Sequence, residues 1–211
     1  MTDPGLRERK KLRTHQAISE AAISLFLRFG FDQVSTAQIA DAAEVSKRTL
    51  FKYFPSKEDL VLGRFIDHID EYATVVAGRS PGQSPLDALR AWMLTGLANR
   101  EPTTGLCDDP NVLTFYRLVL DTPSVASRLR DYTLRGVEAL ADALRAATPT
   151  EDELTARIAA VQLVAVLQAL AESNWHTLLN GTSAAEHYPA AKQDAERAFA
   201  LLENGISAQY G

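Results

Sequence analysis

Residues 35–55 read STAQIADAAEVSKRTLFKYFP, and the reading of this stretch decides the fold. Ser35 offers its hydroxyl as an N-cap to a short helix over residues 36–43. After a brief turn, Ser46 to Phe54 makes a second short helix, stopped by Pro55, which biases the residue before it away from helical backbone. Ile39, Ala40, Val45, Leu50 and Phe54 are the apolar positions of the pair. Leu50 and Phe54 lie four apart and face inward together, which leaves Lys47, Arg48, Phe51 and Lys52 pointing elsewhere. A basic helix with one aromatic, presented this way, suits the major groove of DNA, about 12 Å wide. There Arg or Lys donates to guanine acceptors and an aromatic touches a thymine methyl. Lys47, Arg48, Thr49 and Phe51 are the base-reading candidates. Thr36 and Lys57 sit at helix N-termini, where unpaired amides and the positive dipole end favour phosphate, and Lys52 joins them as a phosphate candidate. The plain alternative for the outward set is solvated helix surface.

Upstream, an amphipathic helix is expected over residues 14–29, with Ile18, Ala21, Ala22, Leu25, Phe26 and Phe29 on one face and Gly30 stopping it. Arg7, Arg9, Lys10, Lys11 and Arg13 precede it, either as a flexible basic arm (residues 1–13) that follows the DNA backbone or as a disordered tail. Charge is segregated to match. Residues 1–57 hold ten Lys/Arg against six Asp/Glu, a net of +4, whereas residues 58–211 carry a net of -9. Only a DNA-binding head has to meet phosphates, so an acidic body is compatible with it.

Downstream the periodicity stays helical, and no segment shows the alternation expected of strands. Ser56 with Asp59 resembles a capping box opening a long helix toward Ala77, and residues 79–84 read as a linker. Ser84-Pro85, Asp109-Pro110 and Thr122-Pro123 each pair a capping residue with proline at the first helical position. Thr150 and Glu153 form a further box, opening a helix to about Asn180 that Gly181 ends, and a last helix runs near residues 189–202. The expectation is an all-α chain of about nine helices, with no repeat period.

The run from Ser35 to Leu60, together with Phe29-Gly30-Phe31 before it, resembles the signature of the TetR family of bacterial regulators. About a quarter of the chain carries the resemblance. Carried over by position, it implies phosphate contacts from Thr36, Tyr53 and Lys57, base contacts from Lys47, Arg48, Thr49 and Phe51, and reach into the groove by Gln38. It also implies three parts: a DNA-binding domain at 1–57, a connecting helix and linker at 58–83, and a ligand-binding and dimerisation domain at 84–211. Glu44 stands where the family usually has glycine, in the turn between the DNA-facing helices; a positive φ there costs on the order of 1 kcal/mol.

Within the body, residues 158–171 are apolar nearly all round, so this helix must bury more than one stripe, and a subunit interface formed with the last helix satisfies it. Large side chains on the helices between head and interface are pocket candidates: Trp92, Met93, Leu97, Phe115, Tyr116, Val119, Tyr132 and Trp175, with Gln168 and His176 as polar partners. Such a lining favours a small apolar or amphipathic effector, and the whole reading is a homodimeric repressor released from a palindromic double-stranded operator.

Other classes fit less well. Gly78-Arg79-Ser80-Pro81-Gly82 matches the G-x-S-x-G pattern of a nucleophile elbow, but it follows a helix rather than a strand, so no catalytic residue is expected. The four histidines are scattered without zinc-ligand spacing and read as solvated helix surface; no metal or cofactor is expected. The single cysteine, Cys107, excludes a disulfide framework, and with no apparent secretory signal the expected setting is the cytoplasm. The most apolar window, residues 158–170, contains Gln162 and Gln168 and falls short of the roughly 20 residues of a membrane span. An architectural protein coating DNA without an effector is the rival reading, opposed by the acidic body.

Overall fold

Helices start where capping residues meet good helix formers. The computed structural model describes residues 5–66, 68–148 and 152–205, and within them ten α-helices, one short 3-10 turn and no strand. The first four are α1 (Leu6–Phe29), α2 (Thr36–Ala42), α3 (Lys47–Tyr53) and α4 (Lys57–Ile66). Then come α5 (Glu71–Ala77), α6 (Pro85–Asn99), the 3-10 turn Pro102–Thr104, α7 (Pro110–Asp121), α8 (Pro123–Ala147), α9 (Glu153–Leu179) and α10 (Ala184–Asn204). The all-α expectation holds, and all three proline-led helices begin where their capping pairs place them. Ser84 Oγ accepts from the Asp87 amide at 3.1 Å and Asp109 Oδ1 from the Asn111 amide at 2.8 Å.

Several boundaries differ from the sequence reading. α1 begins at Leu6 instead of near Thr14, because residues 7–13 are Arg, Glu, Lys and Leu, all strong helix formers. From Leu6 onward the expected basic arm is therefore helical: Arg9, Lys10, Lys11 and Arg13 lie exposed on α1, whereas residues 1–4 and the Arg7 side chain lie outside the described residues. The helix expected from Ser56 to Ala77 is two, α4 and α5, with residues 68–70 in a turn, which accounts for ten helices instead of nine. Local pattern does not announce this break, since Leu62, Ile69, Tyr72 and Val76 keep helical spacing through it. The turn is met there by a tertiary contact: a Cβ on Gly136 of α8 would sit 3.1 Å from the Ile69 carbonyl oxygen, so the backbone of the turn is packed onto that glycine. Thr150 lies outside the described residues, and the N-cap of α9 is Asp152, which accepts from the Thr155 amide at 2.9 Å. α10 opens five residues before Pro189, on a reciprocal capping box of Ser183 and Glu186, and carries Pro189 inside the helix without its backbone hydrogen bond.

The chain forms two compact units. The first comprises Met1–His68 and Thr114–Asp131, the second Ile69–Leu113 and Tyr132–Gly211. In the first, Ile18, Ala22 and Phe26 of α1 are buried, as are Ile39 and Ala40 of α2, Leu50 of α3, Phe54, and Leu60, Val61 and Leu62 of α4. Each larger side chain buried this way contributes roughly 1.5 to 3 kcal/mol. α4 can approach α1 closely because residue 63 is glycine: a Cβ there would meet Phe54 Cε1 at 3.0 Å and Ser19 Oγ at 3.2 Å.

In the second unit, Leu89, Met93 and Leu97 of α6 share a core with Leu140 of α8, Leu163, Val164, Leu167 and Leu178 of α9, and Phe199 of α10. A buried polar chain crosses it: Asn174 Nδ2 donates to the Thr104 carbonyl at 2.9 Å, and Asn174 Oδ1 meets His187 Nε2 at 3.0 Å. Beside it Gly105, at φ +77°, brings the loop onto α9 so tightly that a Cβ would lie 2.1 Å from the Ala171 carbonyl oxygen.

By length and composition alone α9 is apolar enough to cross a membrane, its best 18-residue window averaging a hydropathy of 1.7, which corrects the shorter run read from the sequence. That apolarity divides between two faces. Leu163, Val164, Leu167, Trp175 and Leu178 are buried along with the hydrogen-bonded Asn174, whereas Leu154, Ile158 and Val161 are exposed.

Candidate nucleic-acid interface

Two caps and one left-handed residue shape the α2–α3 pair. Ser35 Oγ accepts from the Gln38 amide at 3.2 Å and Gln38 Oε1 accepts from the Ser35 amide at 2.8 Å, closing a capping box at the start of α2. α2 ends at Ala42, and Glu44 turns the chain at φ +53°, its amide donating to the Asp41 carbonyl at 3.1 Å. The Val45 amide then returns to the Ala40 carbonyl at 2.9 Å. The glutamate thus adopts the glycine conformation of this turn. Ser46 opens α3, its Oγ accepting from the Thr49 amide at 3.1 Å and lying 2.8 Å from Thr49 Oγ1.

Leu50 and Phe54 point inward and are fully buried, which turns the opposite face of α3 outward. Lys47, Arg48, Lys52 and Phe51 are exposed, Phe51 at 43%. Thr49 and Tyr53 are half-buried at the edges of that face. An exposed phenylalanine between three cations suits a surface that meets base edges and phosphates.

Other candidates are placed less simply. Thr36, the first residue of α2, is half-buried. Gln38 is exposed, but its Oε1 is engaged by the cap, leaving the amide NH₂ to face outward chemistry. Lys57 begins α4 with its Nζ turned inward, donating to the Phe31 carbonyl at 2.6 Å and lying 4.3 Å from the centroid of the Phe31 ring.

His15 belongs to this region and was missed. Its imidazole stacks on Phe54, with centroids 4.6 Å apart and planes 28° apart, and lies 6.3 Å from the Tyr53 ring. The signal was present in the spacing, since residues 15, 18, 22 and 26 lie on one helical face. His187 is also half-buried, through Asn174, while His68 and His176 are exposed, so solvated surface describes only two of the four histidines.

The pocket candidates fall into both units. Phe115, Tyr116 and Val119 belong to the first, and Trp92, Met93, Leu97, Tyr132, Gln168, Trp175 and His176 to the second. Met93 and Leu97 are core residues, and Trp92 packs against that core with its indole N–H donating to Glu71 at 3.1 Å. Tyr132 lies under the Arg135 guanidinium at 5.2 Å, and Gln168 Nε2 donates to Thr133 Oγ1 at 2.8 Å. The G-x-S-x-G run forms the turn after α5, where Arg79 donates to the Val76 and Gln83 carbonyls.

The family model "Bacterial regulatory proteins, tetR family" matches residues 18–63. The helix-turn-helix transcriptional regulator TcmR of Streptomyces glaucescens is 32% identical over 171 residues, which are 79% of this chain and 74% of TcmR. RutR, a regulator of the same type from Escherichia coli K12, is 34% identical over 89 residues, 42% of each chain. Among solved structures, Salmonella enterica GusR shares the fold with a TM-score of 0.57 at 20% identity, over 97% of both chains.

Proposed function

The chain belongs to the TetR family of bacterial transcriptional regulators, and from that premise we propose that it is a homodimeric repressor in the cytoplasm, released from a palindromic operator by a small apolar or amphipathic effector. One observation carries the DNA-binding part: a helix pinned by Leu50 and Phe54 presents Lys47, Arg48 and Phe51 outward. In this reading Lys47, Arg48, Thr49 and Phe51 face bases, the Gln38 NH₂ reaches the groove edge, and Thr36, Lys52 and Tyr53 hold phosphates. With its Nζ turned inward, Lys57 offers the backbone amide at the start of α4 instead.

Pairing through the last two helices is supported by Leu154, Ile158 and Val161, which form one exposed apolar stripe on α9. A two-fold dimer then sets two copies of α3 on successive major grooves, roughly 34 to 36 Å apart. Division of labour follows, with residues 1–57 reading DNA, 58–83 connecting, and 84–211 pairing and sensing. Trp92, Tyr132, Gln168 and Trp175 of the second unit supply the aromatic and amide groups that an amphipathic effector requires. Such an effector releases DNA only by binding the misaligned dimer better than the aligned one, since equal affinity for both shifts nothing.

The test is selection of a duplex from a random library by the full-length protein, repeated with Arg48→Ala. A palindrome is expected for the wild type, and loss of preference at one base per half-site, about 1 to 3 kcal/mol, for the variant. Salt-dependent binding without sequence preference would point to an architectural protein instead.

A further inference from the structure

Asp59 is fully buried, and two structures converge on its carboxylate. Its Oδ2 accepts from the Ser56 amide at 3.0 Å while Ser56 Oγ accepts from the Asp59 amide at 3.1 Å, the box that opens α4. Arg128, 69 residues away in the first turns of α8, grips the same carboxylate in a fork, Nε to Oδ1 at 2.7 Å and Nη2 to Oδ2 at 3.2 Å. The Arg128 Nη1 lies 3.5 Å from Asp131 on its own helix. The boxes at Ser35 and Ser183 close on the surface with no cation, so capping alone does not call for an arginine. Burial does: a carboxylate cut off from water needs a charged, correctly oriented partner.

From Asp59 to the recognition helix the path is short. Only Pro55 and Ser56 separate Phe54, the C-cap of α3, from the start of α4, and Phe54 packs where a side chain on Gly63 would stand. The exit of α3 and the entry of α4 are one packed piece. α8, for its part, continues to Ala147, and from Tyr132 onward its residues belong to the second unit.

We propose that Arg128 is a positioning residue for operator recognition, its fork on Asp59 holding the start of α4 and thereby the orientation of α3, so that a shift of the first turns of α8 alters DNA affinity. The inference rests on α3 being the helix that reads DNA. Because a fork on a buried carboxylate is either made or broken, it couples the two helices in discrete states.

Operator selected by the wild-type full-length protein is compared with an unrelated duplex for Arg128→Gln, Arg128→Lys, Asp59→Asn and the double variant Arg128→Gln/Asp59→Asn, alongside thermal unfolding. Arg128→Gln and Asp59→Asn should each weaken operator binding about tenfold, with little change on the unrelated duplex. The double variant should be no weaker than the poorer single, and Arg128→Lys, which keeps the charge but not the fork, should recover part of the loss. Wild-type operator affinity in Arg128→Gln overturns the proposal, as do additive losses or a lowered unfolding temperature with selectivity intact. If Arg128→Gln does not fold, Arg128→Lys decides: a loss confined to the operator supports the coupling, and unchanged binding overturns it. Full selectivity in Arg48→Ala would overturn the reading of α3 and this proposal with it, whereas loss at Arg48 with none at Arg128 overturns the proposal alone.

Discussion

The imidazole of His15 lies stacked on the ring of Phe54, centroids 4.6 Å apart, and so ties α1 to the end of α3. His15→Ala removes that face and leaves Phe54 against a gap, at an expected cost of about 1 to 2 kcal/mol. Thermal unfolding should show the loss in the first unit, and His15→Phe should restore most of it. An unchanged transition for His15→Ala would mean the stack adds nothing to the head.

Glu44 holds a left-handed conformation at φ +53° that glycine adopts without steric cost. Glu44→Gly relieves the strain but loosens the unfolded chain, so the expected net gain is about 0.5 to 1 kcal/mol. Denaturant midpoints compare the two, and a destabilised glycine variant would show that the glutamate side chain contributes a contact outweighing the strain.

Gly105 allows no side chain. With φ +77° and a Cβ position 2.1 Å from the Ala171 carbonyl oxygen, Gly105→Ala must push the loop off α9 and break the Thr104–Asn174 hydrogen bond. A loss of about 3 kcal/mol or more is expected, seen as a lower unfolding temperature or failure to fold.

Ile158→Glu places a charge in the middle of the exposed stripe of α9. Sedimentation should shift from dimer to monomer, and operator affinity should fall about a hundredfold as the second half-site ceases to be tethered. A variant that stays dimeric would move the subunit interface elsewhere.

Tyr72 is pushed up to about 12, first by burial and then by the neighbouring Glu71 carboxylate, and its ring packs edge-on to Trp92 at 5.2 Å. The native state holds this proton more tightly than the unfolded chain. The preference is therefore intact below the ordinary tyrosine value near 10 and is lost as pH rises through about 12. Stability should decline across that window by on the order of 2 kcal/mol, and Tyr72→Phe should abolish that part of the decline in unfolding measured at alkaline pH.

What the sequence determined by itself was local. Caps at Ser35 and Ser84, the proline-led starts and the inward pair Leu50 and Phe54 were legible because a cap acts within three residues and an amphipathic face repeats within four. The outward identity of Lys47, Arg48 and Phe51 followed from the same periodicity, whereas the left-handed turn at Glu44 was signalled by the resemblance to the TetR family, which usually has glycine there. Only the tertiary structure decided the break between α4 and α5, the inward turn of the Lys57 ammonium onto Phe31, and the fork that joins Asp59 to Arg128. Each depends on backbone or charge brought together from positions 26 to 69 residues apart. Helical spacing reveals which face of a helix is buried, but not which distant group will meet it there.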